Sequence, residues 1–166
     1  MITAFLTAAT LLLGSEGGEL YDGATWQKDA VVVRTRDGRE KRLPTDKEQV
    51  GISNVAVSAD HTAVGWLALY PNCCTSYPIP LKLIVYSGGR VHQFGPNELP
   101  LWYWVFRNGS REVAFHQETV HGGLGARYEL RDVASGRLLA SFKPESGEPP
   151  PAWVNDLEAH HSRTAG

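Results

Sequence analysis

Cys73 and Cys74 are adjacent and are the only cysteines in the 166-residue sequence. Neighbouring Cα atoms lie about 3.8 Å apart across a trans peptide, whereas relaxed disulfides need roughly 4.4–6.8 Å. A bond between these two residues is therefore strained and easily reduced. Three states are open: a vicinal disulfide, two buried thiols, or half of an intermolecular bridge. For an exported protein we favour the vicinal disulfide, because oxidising compartments leave few free thiols.

His116, Glu118 and His121 form the second reactive group of residues. Two imidazoles and a carboxylate are ligands that zinc accepts, so these three are the candidate metal ligands. Their spacing matches no metalloprotease helix motif, and the segment is predicted to cross a strand end. We therefore expect neither a metal nor a cofactor.

No catalytic residues are predicted. The run His121-Gly122-Gly123 is similar to an oxyanion loop of α/β-hydrolases, but the sequence contains no Gly-x-Ser-x-Gly nucleophile elbow to accompany it. The sequence also lacks a Gly-rich phosphate-binding loop. These observations favour a protein without enzymatic activity. The alternative is a small exported hydrolase or metal-dependent enzyme that uses His116, Glu118 and His121.

Two long loops carry the candidate binding residues. Residues 71–78 contain Asn72, Cys73, Cys74 and Tyr77, and residues 118–125 contain His121. Both loops are predicted to join the second and third strands of a four-stranded group. We therefore expect them on one rim together with residues 95–98, and loops on a rigid scaffold are where binding usually occurs.

The strongly aromatic segment 101–106 is predicted to be a core strand. Alternation places Trp102 and Trp104 on one face and Tyr103 on the other. Large aromatic side chains at such positions usually fill the core, and the same interpretation applies to Trp66 and Trp153. His160 and His161 lie in a polar segment and are expected to be solvated.

The elements that must position these residues recur along the chain. Turns at Gly38, Gly88 and Gly136 are spaced by 50 and 48 residues, and turns at Asp60 and Gly109 by 49 residues. Self-similarity at such a period indicates stacked four-stranded units. A hairpin is predicted over residues 30–43, followed by four-stranded groups over 52–94 and 101–142. After three prolines, residues 152–154 are predicted to open a further unit, and 154–161 is the one segment with a helical period.

Three segments resemble WD40-like and TolB-like β-propeller repeats: residues 57–60, 106–115 and 128–139. In those repeats a Ser-Pro-Asp-Gly turn joins the inner strands and an Asp-x-x-x-Gly turn joins the outer ones. The resemblance covers about residues 30–154, with Ala59 and His61 in place of Pro and Gly. It implies an all-β, incomplete propeller-like stack, because a closed ring needs about four or more blades. A β-sandwich or barrel is the alternative fold.

The N-terminal segment and the overall composition limit where the protein is expected to be located and which partners it is expected to bind. Residues 1–17 contain a short apolar run typical of a signal peptide, which predicts a periplasmic or secreted protein; a first β-strand is the alternative. A single β-repeat domain is predicted over residues 18–158 and a disordered tail over 159–166. With 16 basic and 18 acidic side chains and no basic stripe, nucleic-acid binding is disfavoured, and no segment is long enough to span a membrane.

The sequence therefore predicts an exported, non-catalytic β-repeat module that binds a protein or another ligand. A protein partner or a homodimer is expected, since unpaired sheet edges must be covered somehow. A structural subunit that docks through open sheet edges is the remaining alternative. The identity of a small-molecule ligand is left open by the sequence.

Overall fold

The computed structural model describes residues 18–95, 99–122 and 125–164. The signal peptide predicted for residues 1–17 lies outside the described residues. The fold is almost entirely β, as predicted, and it ends in one α-helix after a short 3-10 turn at Pro144–Ser146. The elements in chain order are β1 (Tyr21–Gln27), β2 (Ala30–Thr35), β3 (Glu40–Leu43), β4 (Gly51–Val57), β5 (Ala63–Tyr70), β6 (Ile79–Ser87), β7 (Arg90–Phe94), β8 (Leu101–Arg107), β9 (Glu112–Gln117), β10 (Arg127–Asp132), β11 (Leu138–Phe142) and α1 (Ala152–Thr164).

In the described residues the strands form three antiparallel sheets, each a simple meander in chain order. The first sheet contains β1–β3, the second β4–β7 and the third β8–β11. The two predicted four-stranded groups correspond to the second and third sheets. Strand β1 was not predicted, because its Asp22-Gly23 pair is typical of a turn; in the structure Gly23 lies beside a register shift in the β1–β2 ladder.

Two layers of buried apolar side chains lie between the sheets. Between the first and second sheets, Tyr21 packs edge-on against Tyr86 within a cluster that includes Val31 and Trp66. Between the second and third sheets, Leu67 and Leu83 meet Trp104 and Phe115. Trp66 and Trp104 are buried as predicted. Burial of apolar side chains from both faces of the second sheet makes it the centre of the stack.

The two ends of the stack are closed in different ways. The outer face of the first sheet is polar, with Arg34 paired to Asp22 at 2.9 Å and Arg42 paired to Asp29 at 2.5 Å. The outer face of the third sheet is covered by α1, whose Val154 and Leu157 complete a third apolar cluster with Ala114, Tyr128 and Phe142. The stack of sheets therefore ends in polar side chains at one end and in a helix at the other.

At the C-terminus, the strand predicted over residues 152–154 was wrong, because these residues begin α1. The helical period over residues 154–161 is confirmed, and the helix continues to Thr164, where a tail without structure was expected from residue 159. The carbonyl of Pro151 accepts hydrogen bonds from the amides of Val154 (2.9 Å) and Asn155 (3.2 Å), which starts the helix directly after the three prolines. The spacing of Val154, Leu157 and His161 places them on one helical face.

The turns that recur at Asp60 and Gly109 lie against each other. Ser110 Oγ donates to Asp60 Oδ2 at 3.1 Å, and Thr62 Oγ1 and Ser110 Oγ are 2.6 Å apart. Gly109 has a positive φ of 73°, and a Cβ there would meet Asp60 Oδ2 at 2.8 Å. Burial alone would raise the pKa of Asp60, but hydrogen bonds from Ser58, Thr62 and Ser110 together hold it below its usual range. The corresponding turns of the second and third sheets therefore share one polar contact.

Candidate functional site

The predicted binding loop over residues 71–78 joins β5 to β6 and is exposed. Cys73 and Cys74 are both free thiols with Sγ atoms 2.7 Å apart, where the sequence predicts a disulfide. The Asn72 side chain accepts a hydrogen bond from the Cys74 amide at 3.2 Å and donates to Thr75 Oγ1 at 3.3 Å. Tyr77 is 52% exposed. The loop thus displays two thiols and a phenol on a backbone braced by one amide side chain.

His121 lies in the second predicted loop, after β9, and its side chain is exposed. The loop turns through a hydrogen bond from the Gly122 amide to the Thr119 carbonyl (3.0 Å). It is tied to the link before β8, because the Glu118 amide donates to the Pro100 carbonyl at 3.2 Å and Trp102 Nε1 donates to the Glu118 carbonyl at 3.0 Å. These contacts place residues 118–122 beside the link that enters β8. Residues 96–98 of the predicted rim lie outside the described residues.

The three candidate metal ligands do not come together. His116 is only 5% exposed, and its ring is stacked on Tyr103 and tilted against Tyr128, with centroids 4.7 Å away in both cases. His116 Nε2 lies 4.0 Å from Glu118 Oε2, while His121 is in the exposed loop. In residues 18–95, 99–122 and 125–164, no group of three or more His, Cys, Asp or Glu side chains has the arrangement of a metal site.

His116 belongs to a buried polar cluster that sequence reasoning missed. Burial lowers its pKa, which the nearby carboxylates of Glu118 and Glu158 only partly offset. The imidazole is therefore neutral near pH 7. On the other face of Tyr103, His161 from α1 stacks at 4.0 Å with an angle of 3° between the rings. Three rings from β8, β9 and α1 thus form a continuous stack.

Glu158 of α1 joins this stack to the third sheet. The hydroxyls of Tyr103 and Tyr128 both donate to Glu158 Oε1, the second at 2.6 Å. Burial and this carboxylate raise the pKa of Tyr128 to about 12, and the pKa of Tyr103 is raised further for the same reasons. Both phenols therefore stay protonated as donors throughout the physiological range. Arg107 of β8 also forms an ion pair with Asp156 of α1, with an N–O distance of 2.8 Å.

A groove of about 320 Å³ opens where α1 overhangs the edge strands β4 and β8. Its volume falls within the range of small-molecule sites. The described residues that line it are Asn54, Val55, Ala56, Tyr103, Trp104, Leu157, His160, His161 and Thr164.

Asn54 gives the groove a fixed wall. It has a positive φ of 48° and lies in a stretch where the β4–β5 register shifts between Ser53 and Ala56. Its carbonyl accepts from Trp104 Nε1 at 2.9 Å, and its side-chain amide donates to the Trp102 carbonyl at 3.1 Å. Strained backbone of this kind persists where surrounding contacts determine it, and such positions cluster at functional sites.

Gly65 of β5 sets the depth of the groove. A Cβ at this position would lie 2.5 Å from Trp104 Cη2 and 3.1 Å from the Ile84 carbonyl oxygen. The indole therefore packs directly on the backbone of β5. A side chain on residue 65 would force the indole away from β5.

The groove combines apolar surface with polar side chains. Its described lining combines apolar surface from Val55, Ala56 and Leu157 with the imidazoles of His160 and His161, and it includes no carboxylate or thiol. The phenol of Tyr103 is already held by Glu158. The expectation that His160 and His161 are simply solvated was wrong, since both are partly buried beside the groove.

Comparisons with known proteins identify no family. No protein-family model matches the chain, and no curated protein shows a significant match. The resemblance to WD40-like and TolB-like repeats stays a prediction. In the described part of the chain, neither helical segment combines the length and the hydrophobicity that are needed to cross a bilayer.

Proposed function

We propose that this chain is an exported, non-catalytic β-repeat module that binds a small, flat organic anion in the groove beside α1. The groove itself carries the proposal: a strained, doubly hydrogen-bonded Asn54 forms one wall, and helix α1 forms the other. Preformed concave sites with apolar walls and a few polar groups are the usual small-molecule sites.

The class of ligand follows from the lining. Val55, Ala56 and Leu157 supply apolar surface for a ring, and His160 and His161 supply donors at the helical end. An anionic group suits these imidazoles, because no carboxylate is present among the described lining residues to repel it.

The test uses 8-anilinonaphthalene-1-sulfonate, a flat aromatic anion whose fluorescence rises in apolar sites. We expect saturable binding to one site on the wild-type protein. Val55→Glu places a carboxylate in the groove at a residue that is 39% exposed, and it should weaken binding about tenfold or more, since like charges repel at short range. Val91→Glu is the matched control, because Val91 is 44% exposed on β7 and does not line the groove. Equal binding by both variants would contradict the proposal.

A second candidate is a protein partner that binds the exposed loops. The observation that favours it is Tyr77, exposed beside Cys73 and Cys74 on a braced loop. Replacing both cysteines by serine together with His121→Ala should weaken capture of such a partner without unfolding the protein, since all three side chains are exposed. Unchanged capture by the triple variant would count against this surface.

A homodimer and docking through open sheet edges are separate proposals. The ends of the stack are covered by charged side chains and by α1, so a second copy would have to use the lateral edges. Strand β3, one of these edges, has exposed Lys41 and Arg42, and charges of this kind discourage edge pairing. Light scattering of the purified protein distinguishes a monomer from either assembly.

A further inference from the structure

We propose that Cys73 and Cys74 form a reversible redox pair, which a low-molecular-weight disulfide oxidises to a vicinal disulfide and thiols reduce again. Three observations support this assignment. Both residues are exposed, both are free thiols, and their Sγ atoms already lie 2.7 Å apart. Small disulfides in solution therefore have direct access to either sulfur.

The loop conformation is maintained by hydrogen bonds that do not involve the sulfur atoms. The Asn72 amide braces the Cys74 backbone and Thr75, and Thr75 Oγ1 donates to the Tyr77 carbonyl at 2.6 Å. On either side the chain enters the core at Tyr70 and Ile79. The sulfurs can therefore change oxidation state while the strands β5 and β6 stay in place.

Oxidation proceeds in two steps, and either exposed thiol can begin it. One Sγ, as a thiolate, attacks one sulfur of the small disulfide, forms a mixed disulfide and releases one thiolate. The neighbouring Sγ, 2.7 Å away, then attacks the first Sγ, gives up its proton, forms the Cys73–Cys74 bond and releases the second thiol. Two protein thiols are oxidised, and one small disulfide is reduced to two thiols.

Oxidation of this pair is reversible because the ring is small. Adjacent Cα atoms lie about 3.8 Å apart, so the bond forms under strain and has a more oxidising potential than a structural disulfide. Closing the ring rotates the peptide between the two cysteines, which includes the Cys74 amide that donates to Asn72. The oxidation state of Cys73 and Cys74 therefore controls the hydrogen bonds of the Asn72 side chain, which position the loop up to Tyr77.

The experiment treats reduced, full-length protein with oxidised glutathione and measures intact mass and thiol content. The wild type should lose two hydrogen atoms, keep no glutathione and stay monomeric on a non-reducing gel, and dithiothreitol should restore both thiols. Cys73→Ser and Cys74→Ser each remove the resolving partner, so each should retain one glutathione. Stable glutathione adducts on the wild type, disulfide-linked dimers, or unreactive thiols would each overturn the proposal.

A second measurement tests the link to the loop. Hydrogen exchange at the Cys74 amide should become faster in the oxidised wild type, because its bond to Asn72 is lost. Asn72→Ala should show fast exchange in both oxidation states. The same exchange rate in oxidised and reduced wild type would overturn the conformational part of the proposal. None of these readouts depends on the groove beside α1.

Discussion

The two faces of the third sheet are covered by different chemistry. Towards the second sheet, Phe115 and Trp104 pack in a dry layer of apolar side chains. Towards α1, His116 is stacked with Tyr103 and Tyr128, and both phenols donate to Glu158. The apolar layer fixes the sheets as one body, whereas α1 is held by these directional contacts together with the apolar side chains of Val154 and Leu157. We therefore expect α1 to open locally more readily than the central strands.

The largest expected effect is on the apolar layer. Phe115→Ala should lower the free energy of unfolding by about 3–5 kcal/mol, because it leaves a cavity between two sheets. Urea denaturation measures this loss. A loss below about 1 kcal/mol would show that the layer repacks freely, which is not expected of a close-packed interior.

Removing the shared acceptor of the polar layer should have a smaller effect. Glu158→Ala leaves the hydroxyls of Tyr103 and Tyr128 without their carboxylate and should cost about 1–3 kcal/mol. Hydrogen exchange should show the loss concentrated in α1. Glu148→Ala, at an exposed position just before the helix, is the control and should be nearly neutral. Equal effects of the two variants would contradict the described role of Glu158.

Gly65→Ala tests the contact between the apolar layer and the groove. The new Cβ would meet the Trp104 ring, so overpacking should cost about 1–3 kcal/mol, and the displaced indole should weaken binding of the anionic dye. Gly51→Ala on β4 is the matched control, because its Cβ would make only ordinary contacts with Leu69, the nearest at 3.5 Å. Near-ultraviolet circular dichroism of the tryptophans and urea denaturation separate the two variants.

The smallest expected effect is a pH dependence from His116. Burial holds its pKa in the folded protein below the ordinary 6.5, so the unfolded chain binds more protons below that value. The stabilising contribution is complete above pH 6.5 and is lost as the pH falls through the folded-state pKa. His116→Phe keeps the stacked ring and should flatten the decline of stability below about pH 6.5.

His92 provides the control for this titration. Its pKa is also lowered, by burial and by the charge of Arg90. His92→Phe should remove the contribution of His92 to the pH dependence of stability. It should leave the hydrogen-exchange rates of the α1 amides unchanged. If His116→Phe leaves the pH dependence of stability unchanged, the buried imidazole does not titrate as described.

The strands were predictable because alternation and turn residues are local signals. The turns at Gly38, Gly88 and Gly136 mark the outer hairpins of all three sheets. Strand β1 escaped prediction because Asp22-Gly23 interrupts its pattern. Helix α1 was predicted only over its middle, residues 154–161, because much of its support comes from contacts with Tyr103 and Tyr128, far away in the sequence.

The groove left no local signal. Asn54, Tyr103 and His161 come from three separate segments, and each has an ordinary local explanation: a residue on a strand, an aromatic core residue and a polar tail. His116, Glu118 and His121 were candidate metal ligands because they are close in the sequence. In the structure, stacking against Tyr103 and Tyr128 places His116 in the core. Cys73 and Cys74 were predictable as a pair because they are adjacent in the sequence, whereas the groove residues meet only in the folded chain.

Hydrogen exchange of α1 with and without 8-anilinonaphthalene-1-sulfonate tests the account most directly. We expect amides of residues 152–164 to exchange faster than those of β5 and β9 in the free protein, because they open without unfolding the sheets. The dye should slow exchange in α1 selectively. If α1 exchanges as slowly as the central strands and the dye changes nothing, the helix is simply part of the core and the groove is not a binding site.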